Sequence, residues 1–173
     1  MDRLWSPWRA QHVARWAQTP DEGAASEARP TLFERLAADH RDEDNLIVWR
    51  GTHVFVLMNL YPYTNGHLMI VPYRPVAEYE ALDDAEQVEL ARTLARCLRW
   101  LRQALQPDGF NTGMNLGSAA GAGIPNHLHL HVVPRWNGDT NFMPVVGATK
   151  VIPEGLRDTY GKIQAVIAAD EDR

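Results

Sequence analysis

Seven residues, His127-Leu128-His129-Leu130-His131-Val132-Val133, constrain this chain more than any other stretch. Histidines alternate with aliphatic residues, and a period of two is the pattern of a half-buried β-strand. Residues i, i+2 and i+4 share a face, so three imidazoles project from one side while Leu128, Leu130 and Val132 point into a core. Imidazole is both a nucleophile and a proton carrier near neutral pH, and a row of three reads as a reaction centre. A metal site is the first rival. At roughly 3.4 Å per residue the outer two Cα atoms stand about 13–14 Å apart. Imidazoles on a straight strand diverge too far for all three to reach about 2.0–2.1 Å from one zinc ion. Two neighbours could chelate with ligands from other segments. The third reading is of exposed polar positions on a half-buried strand. Three histidines in strict alternation rank catalysis ahead of metal, and metal ahead of exposure alone.

The rest of the chain sets the frame. Its 173 residues suit one domain with a sizeable core, and 45% hydrophobic with 23% charged residues is ordinary for a soluble globular protein. A net charge of −5 gives no general reason to bind nucleic acid or an anionic membrane, so any phosphate binding must be local. The single Cys97 excludes an intramolecular disulfide and a cysteine zinc cluster. No apolar run approaches a membrane span and the start has no signal-peptide core, which makes the cytoplasm the expected location.

Residues 17–30 (AQTPDEGAASEARP) read as a surface loop after an N-terminal arm, which divides the chain into 1–30 and a domain over 31–173. A short helix is expected from Thr31 to about His40, with Leu32, Phe33 and Leu36 facing in. Asn45–Trp49, Val54–Asn59 and His67–Val71 read as strands, the first two joined by a hairpin at Arg50-Gly51-Thr52-His53. Asp83 with Glu86 is a capping-box start for a long helix, whose Leu94, Leu98, Leu101 and Leu105 form a stripe toward the sheet. Arg92, Arg96, Arg99 and Arg102 line much of its remainder, a pattern more typical of a solvated face than of an anion patch. Strands around Phe110–Leu116 and Leu128–Val133 follow, then a C-terminal helix around Pro153–Ala169.

His-Leu-His-Leu-His-Val-Val resembles the signature of the histidine triad (HIT) superfamily of nucleotide hydrolases and transferases. Phe55–Arg74 (FVLMNLYPYTNGHLMIVPYR) resembles that family's nucleoside-binding half-site. Met114–Met143 (MNLGSAAGAGIPNHLHLHVVPRWNGDTNFM), with the opening MDRLWSPWR, is similar to the bacterial branch that includes diadenosine polyphosphate phosphorylases. The resemblance implies a single HIT-like α+β domain, with an antiparallel sheet of about five strands, one long helix and a C-terminal helix. It also implies a homodimer or larger homo-oligomer. The implied reaction is nucleotidyl transfer through a nucleotidyl-histidine. Phosphate as acceptor would give ADP and ATP from diadenosine tetraphosphate, whereas water would give AMP. Hydrolysis of nucleoside phosphoramidates or adenylates is an alternative. A non-catalytic nucleotide-binding module is a third reading, disfavoured because binding alone needs no intact nucleophile.

By the resemblance His129 is the nucleophile, His127 holds its orientation and His131 assists the leaving group. Asn59 matches the ribose-contacting position and His67 the Gly-His position beside base and sugar, while Phe55 and Leu57 are expected to wall the base pocket. A turn-capping role for Asn59 and core packing for Phe55 and Leu57 would require the same residues. Asn115 and the small residues around Ser118, Gly121 and Gly123 can bring backbone N–H groups close to phosphate oxygens. A mobile hairpin connection would share that composition. Arg135 is a candidate to neutralise phosphate, and Trp136 to stack on a second nucleoside or to pack against another subunit.

Two departures qualify the resemblance. Gly123 and Ile124 stand where the animal hydrolases carry Gln and a hydroxyl residue. Thr31-Leu32-Phe33-Glu34 stands where several bacterial relatives carry a zinc-binding Cys-x-x-Cys, so neither zinc nor a ligand role for His40 is expected. No resident cofactor is expected either, although magnesium can accompany a polyphosphate without a protein cage.

Overall fold

A computed structural model of the protein describes residues 30–147 and 151–171. Residues 1–29, and with them nearly all of the expected arm, lie outside the described residues. The element order is α1 (Leu32–Ala38), β1 (Ile47–Arg50), β2 (Val54–Met58), β3 (Leu68–Pro72), α2 (Asp84–Leu105), β4 (Gly109–Gly113), β5 (Leu130–Arg135), α3 (Met143–Val146) and α4 (Leu156–Glu171). Short 3₁₀ turns lie at Tyr79–Ala81 and Ser118–Ala120. The five strands form one antiparallel sheet in the order β1-β2-β3-β5-β4, the α+β architecture expected. No helix among the described residues is long and apolar enough to cross a membrane.

Alternation in β3 and β5 sorts the two faces of the sheet. Leu68, Ile70, Leu130 and Val132 join Leu128 in the main core, with Val54, Val56, Met58 and residues of α2 and α4. Met69 and Val71 point the other way, into a smaller cluster with Phe33, Ile47, Phe55 and Leu57. Met69 is paired with His131, so the imidazole lies on the side of the smaller cluster.

Both α1 and α2 begin with a capping box, at Thr31/Glu34 and Asp83/Glu86, in which side chain and backbone satisfy each other's free N–H groups. The leucine stripe expected of α2 is displaced. The helix buries Leu90, Thr93, Cys97, Trp100 and Leu101, while Leu94, Leu98 and Leu105 are only partly buried beside them. The apolar arc is wider than one seam because α2 packs against both the sheet and α4. In α1, Phe33 is buried and Leu36 partly so, but Leu32 is 43% exposed, since one short helix on a sheet has a single inner side.

The triad strand also starts later than expected. Only Leu130–Arg135 pairs as strand, and residues 127–129 lead into it. The neighbouring β3 ends on Pro72, whose nitrogen carries no hydrogen, so the ladder cannot continue opposite Leu128. Leu128 N–H donates instead to the Val76 carbonyl at 2.6 Å. β4 is likewise shorter than expected, leaving Met114–Leu116 outside it. Before β3, Gly66 has φ +71°, and a Cβ there would come within 2.3 Å of the Leu105 side chain. The positive φ and the crowding against α2 both favour glycine at that turn, which delivers His67 to the site.

Candidate functional site

Four imidazoles meet on the sheet face opposite α2: His127, His129 and His131, with His67 from the start of β3. His127 and His67 are fully buried and His129 is 7% exposed. His129 and His131 lie edge to face with centroids 4.8 Å apart, and His67 and His131 are 5.1 Å apart.

Hydrogen-bond partners determine where each proton sits. The His127 Nε2 is 2.8 Å from the Pro72 carbonyl, which can only accept, so Nε2 carries the hydrogen. Its Nδ1 is 2.7 Å from the Thr31 hydroxyl and accepts from it. The His129 Nδ1 is 2.9 Å from the His127 carbonyl and therefore donates. Its Nε2 keeps the ring's lone pair, with no hydrogen bond to it among the described residues.

The other pair is ordered from the Tyr63 side. The His67 Nδ1 accepts the Tyr63 N–H at 3.1 Å, so its Nε2 carries the hydrogen. That Nε2 donates to the His131 Nδ1 at 3.0 Å. The His131 hydrogen is thereby placed on Nε2, a buried atom with no hydrogen-bond partner among the described residues. A buried orphan donor is costly to maintain, which marks it as a group aimed at something that binds.

Burial favours the neutral form of all four rings. It pulls the His67 pKa down to about 3, with further lowering from neighbouring His131 and His129. His131 is brought to about 4 by burial and then by His129. His127 and His129 are also lowered, chiefly by burial, against hydrogen bonds to carbonyls that favour the charged ring. At neutral pH the site therefore presents an unprotonated nucleophilic nitrogen beside an unspent N–H donor.

Among the substrate-contact residues expected from sequence, His131, Asn115 and Arg135 are brought together along one groove of about 350 Å³, with Tyr63 and Asn111. The Arg135 guanidinium is already bound by Asp139 at 2.5 Å and by Asn111 at 2.7 Å. Asn59 accepts the Tyr61 N–H at 3.0 Å and directs its amide toward His67 Nδ1 at 3.4 Å, so it caps the turn and sits beside the imidazoles at once. Phe55 and Leu57 are enclosed in the smaller cluster, at 0% and 3% exposure, Phe55 stacked on Tyr73. Ser118 and Gly121 lie in an exposed 3₁₀ turn, with Gly123 also exposed after it. Trp136 is half-buried, its backbone N–H donating to Asp139.

Three residues that the sequence does not mark as part of the site contribute to it. Thr31 contacts His127, Phe33 packs edge-on against it, and the exposed Tyr63 ring lies 4.7 Å from His67 and 5.8 Å from His131. The signal for Thr31 is its T-x-x-E spacing to Glu34, the pattern that also marks Asp83. Nothing in the sequence says that this cap faces His127. Among the described residues no group of three or more His, Cys, Asp or Glu side chains could hold a metal ion.

Comparison with known proteins places these observations. The HIT domain profile matches residues 40–138. The chain is 46% identical over 161 residues to the AP-4-A phosphorylase of Mycobacterium tuberculosis, covering 92% of this chain and 80% of that protein. It is 31% identical over 109 residues to the bis(5'-adenosyl)-triphosphatase of Saccharomyces cerevisiae, covering 62% of this chain and 50% of that one. Among solved structures, a zinc-bound histidine triad family protein from Mycobacterium smegmatis superposes with a TM-score of 0.60 at 23% identity, over 73% of this chain and 86% of that chain.

Proposed function

The chain belongs to the HIT domain family, and from that premise we propose that it is a dinucleoside polyphosphate phosphorylase, converting diadenosine tetraphosphate and phosphate to ADP and ATP. The observation that carries this reading is the His129 Nδ1–H bond to the His127 carbonyl, which leaves the Nε2 lone pair free for attack on phosphorus.

The first displacement forms a bond from His129 Nε2 to the α-phosphorus and breaks the bond from that phosphorus to its bridging oxygen. ATP leaves with the bridging oxygen, to which the His131 Nε2–H donates. In the second displacement a phosphate oxygen attacks the same phosphorus, the N–P bond breaks, and ADP is released. The electron pair returns to Nε2. Neutral rings serve both steps, because an imidazolium at His129 has no lone pair and a neutral His131 still holds one N–H. Asn115 and Arg135 lie along the groove where the remainder of the polyphosphate would run. Magnesium can accompany the polyphosphate, and no resident cofactor is required. Phosphate as the acceptor is supported by the 46% identical phosphorylase relative.

Product analysis tests the reading. Phosphate-dependent formation of ADP and ATP, absent in His129→Ala, is expected. Formation of AMP and ATP without phosphate would make water the acceptor and the protein a hydrolase.

The reading extends to a cytoplasmic homodimer. Asn111, Thr112 and Gly113 of edge strand β4 are exposed, and among the described residues β4 pairs only with β5. An open strand edge is a template for a second copy. Light scattering with a dimer mass is expected, and a monomer at working concentration would end this part of the proposal.

A further inference from the structure

Helix α1 does more than cover the sheet. Its cap residue Thr31 holds one ring nitrogen of His127 at 2.7 Å, while the Pro72 carbonyl holds the other at 2.8 Å. The direction of each bond follows from its partners. The Glu34 N–H donates to the Thr31 oxygen at 3.2 Å, and the Glu34 carboxylate accepts the Thr31 N–H at 2.7 Å. The hydroxyl hydrogen is left for His127 Nδ1, the one nitrogen of that neutral ring with a lone pair. Phe33, two residues on, packs its ring 5.3 Å from His127 and 5.2 Å from His129. A single short helix thus supplies both the polar and the apolar support of these imidazoles.

We propose that Thr31 is a positioning residue for the nucleophile: its hydroxyl locks the His127 ring, and the locked residue presents the carbonyl that orients His129. The assignment rests on the reading of His129 as nucleophile but concerns a residue that touches neither His129 nor substrate. Without the hydroxyl, a fully buried His127 keeps an unsatisfied Nδ1 and is held by the Pro72 carbonyl alone, so its ring can tilt or turn about that one bond. The carbonyl at residue 127 then loses its fixed direction, and so does the His129 lone pair.

Long-range ¹H–¹⁵N spectra of the imidazoles, read beside steady-state kinetics, test this. In the wild type His127 should be the Nε2–H tautomer and His129 the Nδ1–H tautomer. Thr31→Val should blur both assignments and lower kcat about tenfold, the size of one lost hydrogen bond, with KM little changed. Thr31→Ser should restore spectra and rate. Glu34→Ala removes half of the cap but keeps the hydroxyl, so it should lower the melting temperature and leave the imidazole spectra intact. A wild-type His127 found as Nδ1–H would overturn the proposal without any variant. It would equally fail if Thr31→Val kept both tautomers and full kcat, or if Glu34→Ala changed the spectra as Thr31→Val does, since Thr31 would then serve only the helix. Should the wild type turn over no dinucleotide, the functional reading fails alone, and the tautomer spectra still decide the role of Thr31.

Discussion

The two halves of the histidine cluster are built from the same side chain and wired in opposite ways. His127 and His129 give their ring hydrogens to carbonyls, Pro72 and His127, so their protons are committed and a lone pair is what remains at His129. His67 and His131 are linked ring to ring, and the chain of donors ends in a hydrogen on His131 Nε2 that is uncommitted among the described residues. A carbonyl partner makes a histidine a base or nucleophile, and an imidazole partner supplied with a hydrogen makes it a donor. The difference lies wholly in the second partner, since burial lowers the pKa of all four rings.

The largest expected effect comes from the nucleophilic half. His129→Ala should lower turnover by about 10⁴-fold or more, because the nitrogen that attacks phosphorus is lost with the ring. Trapping radiolabelled nucleotide on denatured protein checks this directly: label should be found on the wild type and not on the variant. Label retained on the variant would move the nucleophile elsewhere and undo the comparison.

The donor half should matter less and should depend on the leaving group. His131→Ala is expected to cost about 10²–10³-fold with diadenosine tetraphosphate, within the range of general acid catalysis. With a nitrophenyl ester of AMP, whose leaving group needs little help, the deficit should shrink severalfold, while that of His129→Ala should not. Equal deficits on both substrates would show that His131 is not a donor to the leaving oxygen. One step further out, His67→Leu should cost about tenfold through the lost bond to His131. His67→Gln, whose amide still donates, should recover part of that.

The two faces of the triad segment are legible in the sequence, and the limits of that reading are physical. The alternation from His127 to Val133 correctly sorts one face from the other, because side-chain direction along an extended chain is local. Individual elements, such as the helix start at Asp83–Glu86 and the hairpin at Arg50–His53, are legible for the same reason, and the fold class comes with the family resemblance. Which nitrogen carries each hydrogen depends on Pro72, Thr31 and Tyr63, contacts across 55, 96 and 4 residues. The first two are set by packing and leave no local trace. The start of β5 is not legible locally, because a neighbouring proline, and not its own sequence, ends the ladder. The displaced stripe of α2 has a similar cause, since Trp100 and Cys97 are drawn inward by a second helix.

Lowering the pH separates catalysis from stability at this cluster. The folded pKa of His131 is about 4 and that of His67 about 3, both below the ordinary value of 6.5. The unfolded chain therefore binds protons that the folded one refuses, so stability is complete above about pH 6.5 and declines as pH falls toward 4. In the folded enzyme His67 and His131 stay neutral down to about pH 5, and burial moves the protonation of His129 below its ordinary 6.5, so the acid limb of kcat per folded molecule should lie below pH 6.5 while the melting temperature drops. An acid limb of kcat near pH 6.5 would mean that the rings titrate normally and that burial does not set their charge.

The smallest effect on turnover should come from the opposite face of the same strand. Leu130 lies between His129 and His131, is 6% exposed, and packs into the main core beneath α2. Leu130→Ala removes buried methyl groups and leaves a cavity, which should cost about 2–5 kcal/mol of stability by chemical denaturation. Neither neighbouring imidazole takes a hydrogen bond from that side chain, so kcat per folded molecule should change less than about threefold, under roughly 0.7 kcal/mol of barrier. A loss of kcat as large as that of His131→Ala would show that the two faces are not independent and that the rings are held by the core as much as by their hydrogen bonds. A loss of stability alone would show the converse: hydrophobic packing sets where the strand lies, and Thr31, Pro72 and His67 set what its histidines can do.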